Sequence, residues 1–319
     1  MAATLSNVRI ACGLLALLLV GCSDDFDPPW LITGLRVLGV QSTVLEDNAR
    51  SRPAPGETVR LELVTLAPNE GTRGAYSMFA CLTLGTSFGG VAPCEGSLLA
   101  VAEDESRSAD PVIDVPIPAD ALDTAPQFQM IGVLCERGSI AVDPQEVDPA
   151  NLGDVQICSD PTDPGEIFFF RSDIDDSTAT NLITTFDPDA VTIAGAPWGE
   201  PNGGPCMPDD GRPRVTAFEK VEIEIGGFSD DDREFFITTT RSDDIVQQES
   251  LILASFTTDG ELERQFSAIE NEGDTSTSFE WTAERDDIPA VGLVRFMFTL
   301  RDGRGGFDSV VRELCVNPV

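Results

Sequence analysis

The sequence predicts an all-β protein built from two antiparallel β-sandwiches in tandem. Three observations predict this fold: short stretches in which apolar and polar residues alternate, turns rich in glycine and proline between them, and little helical periodicity. Short strands at this spacing are typical of sandwiches. The chain has 319 residues, which is enough for two domains of ordinary size.

The first sandwich is predicted over residues 31–171. Residues 58–67 alternate apolar and charged side chains, the period of a strand with one solvated face, and residues 76–84 are the best candidate for a core strand. A single helical turn is expected at 118–122. The strands predicted in this domain are residues 31–40, 58–67, 76–84, 98–102, 112–117, 128–135 and 167–170.

Residues 172–213 change character, because Asp, Thr, Gly and Pro dominate and the periodicity is lost. We interpret this stretch as a long connection between the domains, with one short strand at 190–193. Trp198 within it is expected to pack against a domain, whereas Trp30 is expected to close the base of the first domain.

The second sandwich is predicted over residues 214–319. Residues 221–225 alternate valine or isoleucine with glutamate, which indicates a strand with one acidic, solvated face. Trp281 is expected in the core, and the glycines of residues 301–306 are expected to form the turn of a closing hairpin. The further strands predicted here are residues 235–240, 251–257, 262–269, 278–283, 293–300 and 308–316.

The N-terminal segment carries the pattern of an export signal. One basic side chain, Arg9, precedes an apolar run over residues 10–20, which has the length of a signal-peptide core and is too short to span a bilayer. The run ends in Leu-Val-Gly-Cys, which resembles the lipobox of bacterial lipoproteins. That resemblance implies a signal peptide over residues 1–21, cleavage between Gly21 and Cys22, and acylation of Cys22 with chains such as palmitate. The alternative is an ordinary secretory signal.

The residues after the lipobox indicate a location. Ser23 follows the cysteine, which in lipoproteins favours the outer membrane over the inner one. Residues 22–30 would form the lipidated N-terminus and a short acidic spacer. We therefore expect the protein at the outer membrane, on its periplasmic or cell-surface face, with the membrane as a partner through the lipid anchor.

The remaining cysteines predict disulfide bonds. Apart from Cys12 and Cys22, they are Cys81, Cys94, Cys135, Cys158, Cys206 and Cys315. An even number in an exported chain indicates disulfides, and two of these residues lie in loops that follow cysteine-bearing strands, so we favour local bonds. The predicted pairs are Cys81–Cys94, Cys135–Cys158 and Cys206–Cys315. A Cys81–Cys135 bond of immunoglobulin type and free buried thiols are the alternatives.

The mature chain would be strongly acidic. The 20 basic residues less Arg9, set against 55 acidic residues, give a net charge of −36. Nucleic acid and electrostatic attraction to an anionic membrane surface are therefore not expected, since both require a basic protein surface. We interpret the charge as a means of solubility outside the cell, with cation binding or a basic partner as the alternative.

The chain contains no histidine, which removes the commonest general base and the commonest zinc ligand. Ser-His-Asp hydrolysis, Cys-His proteolysis and histidine-ligated metal chemistry are excluded. A carboxylate pair could still act as acid and base, but 55 acidic residues make such pairs inevitable. We therefore assign no catalytic residue and expect a protein that is not an enzyme.

Two aspartate-rich segments, residues 172–176 and 229–232, are the candidates for calcium. Neither matches the DxDxDG spacing of an ordered calcium loop, so we interpret both as solvated acidic loops. No cofactor and no metal ligand are assigned, and calcium binding is the alternative.

The order of these features resembles a family. A lipobox is followed by LRVLGV at 35–40, PGETVRL at 55–61 and RFMFTLRDGRGG at 295–306. This order resembles predicted outer-membrane lipoproteins of myxobacteria-like Gram-negative bacteria that carry tandem immunoglobulin-like or PKD-like domains. The resemblance implies two tandem immunoglobulin-like antiparallel β-sandwiches after a lipoprotein signal peptide, and it carries no catalytic residues.

These observations predict a lipid-anchored cell-envelope protein that acts as a non-catalytic binding or structural module. Its loops or an exposed strand edge would hold an envelope protein or a polysaccharide. The alternatives are a carboxylate-dependent carbohydrate-active enzyme and a substrate-binding lipoprotein of a transporter. The latter usually requires alternating helices and strands, a pattern that this sequence lacks.

Overall fold

The computed structural model describes residues 28–85, 91–142, 155–175, 181–239, 244–283 and 292–317. The prediction of an all-β chain with two tandem antiparallel sandwiches is confirmed. The helical elements among the described residues are one short helix, α1 (Ala121–Thr124), and two 3-10 turns, Pro188–Ala190 and Asp230–Asp232.

The first sandwich packs a three-stranded sheet on a four-stranded sheet. Its strands are β1 (Arg36–Val44), β2 (Thr58–Leu66), β3 (Ala75–Thr83), β4 (Glu95–Asp104), β5 (Val112–Pro116), β6 (Gln127–Cys135) and β7 (Glu166–Asp173), in the orders β1-β2-β5 and β4-β3-β6-β7. In β2, Val59 and Leu61 are fully buried, whereas Glu62 is exposed. The alternation in the sequence therefore places one face of this strand in the core. Met78 and Phe128 fill that core from the facing sheet.

The second sandwich packs two five-stranded sheets against each other. Its strands are β8 (Val191–Ile193), β9 (Ala196–Pro197), β10 (Arg214–Thr216), β11 (Lys220–Gly226), β14 (Leu251–Thr257), β15 (Glu261–Leu262), β16 (Phe266–Ile269), β17 (Ser276–Thr282), β18 (Leu293–Arg301) and β19 (Phe307–Asn317). The strand orders are β10-β19-β18-β14-β16 and β15-β17-β11-β8-β9, and β10 pairs with β19 in parallel. Two further strands, β12 (Phe235–Thr239) and β13 (Asp244–Gln248), form a separate hairpin.

Aromatic side chains dominate the core of the second sandwich. The ring of Phe296 lies 5.1 Å from that of Trp198 and 5.2 Å from that of Trp281, both edge to face. Such pairs contribute about 0.5–1.5 kcal/mol beyond the area that they bury. The expectation that Trp281 lies in this core is confirmed.

The stretch 172–213, predicted as a connection, contributes to the second sandwich. β8 pairs with β11, and the indole N–H of Trp198 donates to the carbonyl of Glu313 at 2.8 Å. Trp198 is only 1% exposed. Strands of two or three residues leave no periodicity in an Asp- and Gly-rich sequence, which is why composition alone indicated a connection.

The expectation for Trp30 is wrong. Trp30 packs against the core of the second sandwich, not the base of the first. Its carbonyl accepts from the N–H of Thr257, whose own carbonyl accepts from Ile32, so the N-terminal segment pairs with the end of β14. The first strand consequently begins at Arg36 and not at residue 31.

Three disulfides join the cysteines in the pairs that the sequence favoured. They are Cys81–Cys94, Cys135–Cys158 and Cys206–Cys315, with Cα–Cα distances of 5.6, 5.7 and 5.9 Å. The first two bind a strand to the loop that follows it. The third ties the loop between β9 and β10 to β19, the last strand of the second sandwich. The alternative Cys81–Cys135 bond is therefore wrong.

An apolar seam holds the two sandwiches together. It consists of buried residues from the outer faces of both: Ile32, Leu38, Leu66, Ala254, Phe256 and Met297. Next to it, the ring of Phe307 lies against Gly39, where an added Cβ would be 2.2 Å from the ring. Gly39 sits at a bulge in the pairing of β1 with β2, so the bulge and the missing side chain together admit the ring.

Candidate functional site

A cleft of about 410 Å³ opens where the two sandwiches meet. Its walls are the outer strands β1 and β7 of the first sandwich and the β18–β19 turn of the second. The lining consists of residues 37–40 and 167–171 together with Arg301, Gly303, Gly305, Gly306 and Phe307. A cleft between domains is a common place for a ligand, so we take it as the candidate site.

β7 presents an open edge to this cleft. The N–H of Ile174 donates to Pro126, on the β6 side, whereas the N–H of Asp175 donates in the other direction, to Pro53. Successive residues of a strand point their backbone groups to opposite sides, so Ile167 and Phe169 direct theirs away from β6. The Phe169 side chain is 52% exposed.

β1 presents a second open edge. The N–H of Leu45 donates to Thr58 at the start of β2, whereas the N–H of Val44 donates to Arg50 on the opposite side. By the same alternation, Val40 directs its backbone groups away from β2. Two strand edges from different sheets thus face the same cleft.

Side chains close one end of the gap between β1 and β7. The carboxylate of Glu166 accepts from the N–H of Val37 at 2.6 Å, and that of Glu136 accepts from the N–H of Leu35 at 2.9 Å. Burial raises the pKa of Glu166, and the hydrogen bond from Val37 opposes that shift. These carboxylates satisfy donors that would otherwise lie unpaired at the end of the edge.

Arg301 brings positive charge to the cleft. Its guanidinium donates to the carbonyl of Leu38 and lies over the ring of Phe307, 5.4 Å from the centroid. The residue remains exposed, and a guanidinium has five N–H donors, so donors remain for a ligand. Arg171 lines the cleft as well.

A buried polar network shapes the turn that forms the third wall. One oxygen of Asp302 accepts the backbone N–H groups of Arg304, Gly305 and Gly306 at 2.6–3.0 Å. Its other oxygen accepts from the amide of Asn181 at 2.9 Å, and that amide also donates to Ser51 of the first sandwich at 2.7 Å. The turn is therefore held from both sandwiches.

Two arginines extend this network. Arg52 lies 3.2 Å from a carboxylate oxygen of Asp173 and 3.9 Å from one of Asp175, and Arg304 donates to Glu249 at 2.6 Å. Burial raises the pKa of Asp175 to about 6, against the opposing charge of Arg52. Burial and the charge of Asp302 also raise the pKa of Glu249. Both carboxyls therefore resist ionisation in the folded chain.

A second apolar surface lies on the β12–β13 hairpin. Ile237 pairs with Val246, and Phe235 shares their face. These side chains are 66%, 66% and 71% exposed, respectively. No other described strand pairs with the hairpin. The strand predicted at 235–240 corresponds to β12, whereas neither β13 nor this surface was predicted.

The aspartate-rich segments use their carboxylates locally. Asp232 accepts from the hydroxyl and N–H of Ser229, and Asp230 pairs with Arg233. Asp173 and Asp175 face Arg52 as described above. Among the described residues, no group of three or more acidic or cysteine side chains is arranged to hold a metal ion.

The predicted cleavage site between Gly21 and Cys22 and the predicted lipidation residue Cys22 lie outside the described residues. In the part of the chain that is described, no helix is long and apolar enough to cross a membrane. The residues that form the cleft were not identified as a site from sequence, although RDGRGG was recognised as a turn. The signal that was available is the pair of glycines at 305 and 306 beside two arginines.

The described lining of the cleft combines strand edges, aromatic rings and guanidinium groups, and no carboxylate, thiol or hydroxyl side chain is part of it. Backbone groups and arginines can hold a ligand by hydrogen bonds and charge. This set is suited to binding.

No family model matches the chain, and no curated protein matches it. Among solved structures it is similar to Escherichia coli alpha-2-macroglobulin activated by porcine elastase (10% identity, 92% of this chain and 22% of that chain covered, TM-score 0.22). It is also similar to a Salmonella alpha-2-macroglobulin mutant (10%, 91% and 17%, TM-score 0.23). The chain spans about a fifth of the length of these structures, and TM-scores this low do not establish a common fold.

Proposed function

We propose that the protein is a lipid-anchored component of the outer membrane and acts as a non-catalytic binding module for an envelope protein or polysaccharide. The cleft between the sandwiches is the observation that carries this proposal. It combines open strand edges with exposed Phe169 and Arg301 on a scaffold held by the apolar seam. The lipobox ending at Cys22 supports the anchor.

The course of the N-terminal segment is consistent with an anchored binding module. Trp30 pairs with β14 at Thr257, whereas Arg301 beside the cleft is paired with Ile252. Five residues of strand correspond to about 17 Å. The cleft therefore lies toward the end of β14 away from the segment that would lead to the membrane, which leaves it accessible to a partner.

Replacing Cys22 with Ala tests the anchor. We expect the variant to accumulate as unprocessed precursor and to incorporate no labelled palmitate, because the thiol that receives the lipid is gone. Gel mobility and labelling of whole cells measure both. Cys12→Ala is the matched control and should be processed and labelled like the native chain; normal maturation of the Cys22 variant would refute the anchor.

A crosslinking pull-down from the native envelope tests the binding function. The lipidated chain should capture a stoichiometric protein or glycan, and Phe169→Ser should reduce capture because it removes an exposed ring of the cleft. Phe266→Ser is the control, since Phe266 is similarly exposed, at 60%, but lies on the second sandwich outside the cleft lining. Recovery of the native protein alone, or equal capture by both variants, would contradict the proposed site.

A further inference from the structure

No described strand pairs with the edges of β1 and β7 that face the cleft. Among the described residues, no backbone hydrogen bond joins β1 to β7, although both edges line the same cleft. The backbone groups of Phe169 point into this gap, as the alternation along β7 requires. An unpaired edge of this kind is a template for another extended chain.

The contacts at the two ends of the gap limit the length of a segment that can bind between β1 and β7. Glu166 bridges to Val37 at one end, and Arg52 approaches Asp173 at the other. The stretch of β7 between these contacts spans about six residues, or about 20 Å at 3.3 Å per residue. A short extended segment of about five or six residues therefore matches the open edge.

Charge and side-chain chemistry narrow the occupant further. Arg301 holds a guanidinium beside the turn, Arg171 lines the same wall, and Phe169 offers an exposed ring. A peptide with alternating apolar residues and one carboxylate complements this arrangement, because arginine pairs with a carboxylate through two parallel hydrogen bonds.

We propose that the cleft binds an extended, apolar peptide segment of a partner protein, which adds as a strand to the open edge of β7 and places an acidic side chain against Arg301. This inference rests on the proposed binding function and specifies its ligand. The sandwich would supply backbone hydrogen bonds for affinity, and Arg301 would select for the acidic residue.

A pair of substitutions at one position tests the backbone contact. Phe169→Pro and Phe169→Ala both remove the ring, but only proline removes the N–H that points into the cleft. Because that N–H does not bond to β6, proline is compatible with the edge strand. Equal melting temperatures of the two variants would verify that the sandwich is intact.

The probe is a phage library of random twelve-residue peptides, selected on the unlipidated mature chain. We expect selected peptides to carry an acidic residue and to bind Phe169→Pro at least about tenfold more weakly than Phe169→Ala, since one hydrogen bond contributes about 1 kcal/mol and proline adds a steric clash. Arg301→Gln should weaken these peptides, but not their Glu→Gln or Asp→Asn analogues. Fluorescence anisotropy measures each affinity.

Equal binding to the proline and alanine variants, or a library that yields no peptide sensitive to Phe169, would overturn the strand-addition proposal. The pull-down separates this failure from that of the binding function. A native partner whose capture falls by the same amount in the serine, alanine and proline variants would leave the binding function standing and refute strand addition. Capture of a glycan with the same dependence on Phe169 would also leave the binding function standing and refute strand addition.

Discussion

The two sandwiches meet through two contacts of opposite chemistry, the apolar seam and the buried polar network. The seam packs Leu38 and its neighbours against Phe256 and Met297. The network joins the same two bodies through Asn181 and Asp302, together with charged pairs. Apolar burial is non-directional, whereas a buried hydrogen-bond network requires one geometry.

The apolar seam and the buried polar network therefore have different roles at the junction. The seam supplies most of the free energy that keeps the sandwiches together, because it removes apolar surface from water at about 25 cal/mol per Å². The network contributes less net free energy, since desolvation of its charges offsets their attraction. It instead fixes the position of the turn at residues 302–306, and thereby the shape of the cleft.

Removing a seam side chain should have the largest effect. Phe256→Ala empties a site that is only 7% exposed, and we expect a loss of about 3 kcal/mol in the free energy of unfolding. Urea denaturation measures it. Phe266→Ala is the control on the same sheet, where 60% exposure predicts a change within about 0.5 kcal/mol. Equal losses would show that the seam does not stabilise the chain.

Much of the fold, but not this junction, could be predicted from the sequence. Alternation located strands such as β2 and β11, because one face of each is buried and the other solvated. The sequence did not predict three of the strands, β9, β10 and β13. Strands as short as β9 and β10 show no period, and β13 pairs only within an exposed hairpin. The disulfide pairing followed from the cysteines' places in strands and loops.

The apolar seam is reflected in the sequence of β18. Residues 293–300 were predicted as a strand; Phe296 and Phe298 are buried on one face, and Met297 on the opposite face is also buried, against the first sandwich. A strand buried on both faces has a continuous apolar run, not an alternating one. The cleft leaves no comparable pattern, because it arises where edges from distant parts of the chain come together.

Breaking a charged pair of the network should have an intermediate effect. Arg304→Met leaves the carboxylate of Glu249, a residue only 4% exposed, without its 2.6 Å partner, and we expect a loss of about 2 kcal/mol. Thermal and urea unfolding measure it. The double variant Arg304→Met, Glu249→Leu should recover most of that loss, because neither member of this pair is then left buried without its partner. If the double variant is as unstable as the single one, Arg304 stabilises the fold through its packing and not through its charge.

The smallest effect is expected from Asp175 and depends on pH. Its pKa is raised from 3.8 to about 6, so the folded chain holds a proton that the unfolded chain releases, and stability falls as pH rises from about 4 to 6. Asp175→Asn stays neutral and escapes this loss. Relative to the native chain, it should therefore gain about 1 kcal/mol between pH 4 and pH 7, since solvent screening reduces the effect of the shift; urea unfolding at each pH measures it.

Asp104 provides a control of opposite sign. It is half-buried at the end of β4, and hydrogen bonds from Ser106 and Ser108 hold its pKa well below the ordinary value. Its contribution to stability is thus present above pH 4 and is lost as the pH falls. Asp104→Asn should lose stability relative to the native chain as pH rises toward 4 and then keep a constant deficit, while Asp175→Asn gains stability between pH 4 and 7. Parallel pH profiles for the two variants between pH 4 and 7 would mean that the buried polar network does not disfavour the ionised form of Asp175. The network would then stabilise the junction as directly as the apolar seam does.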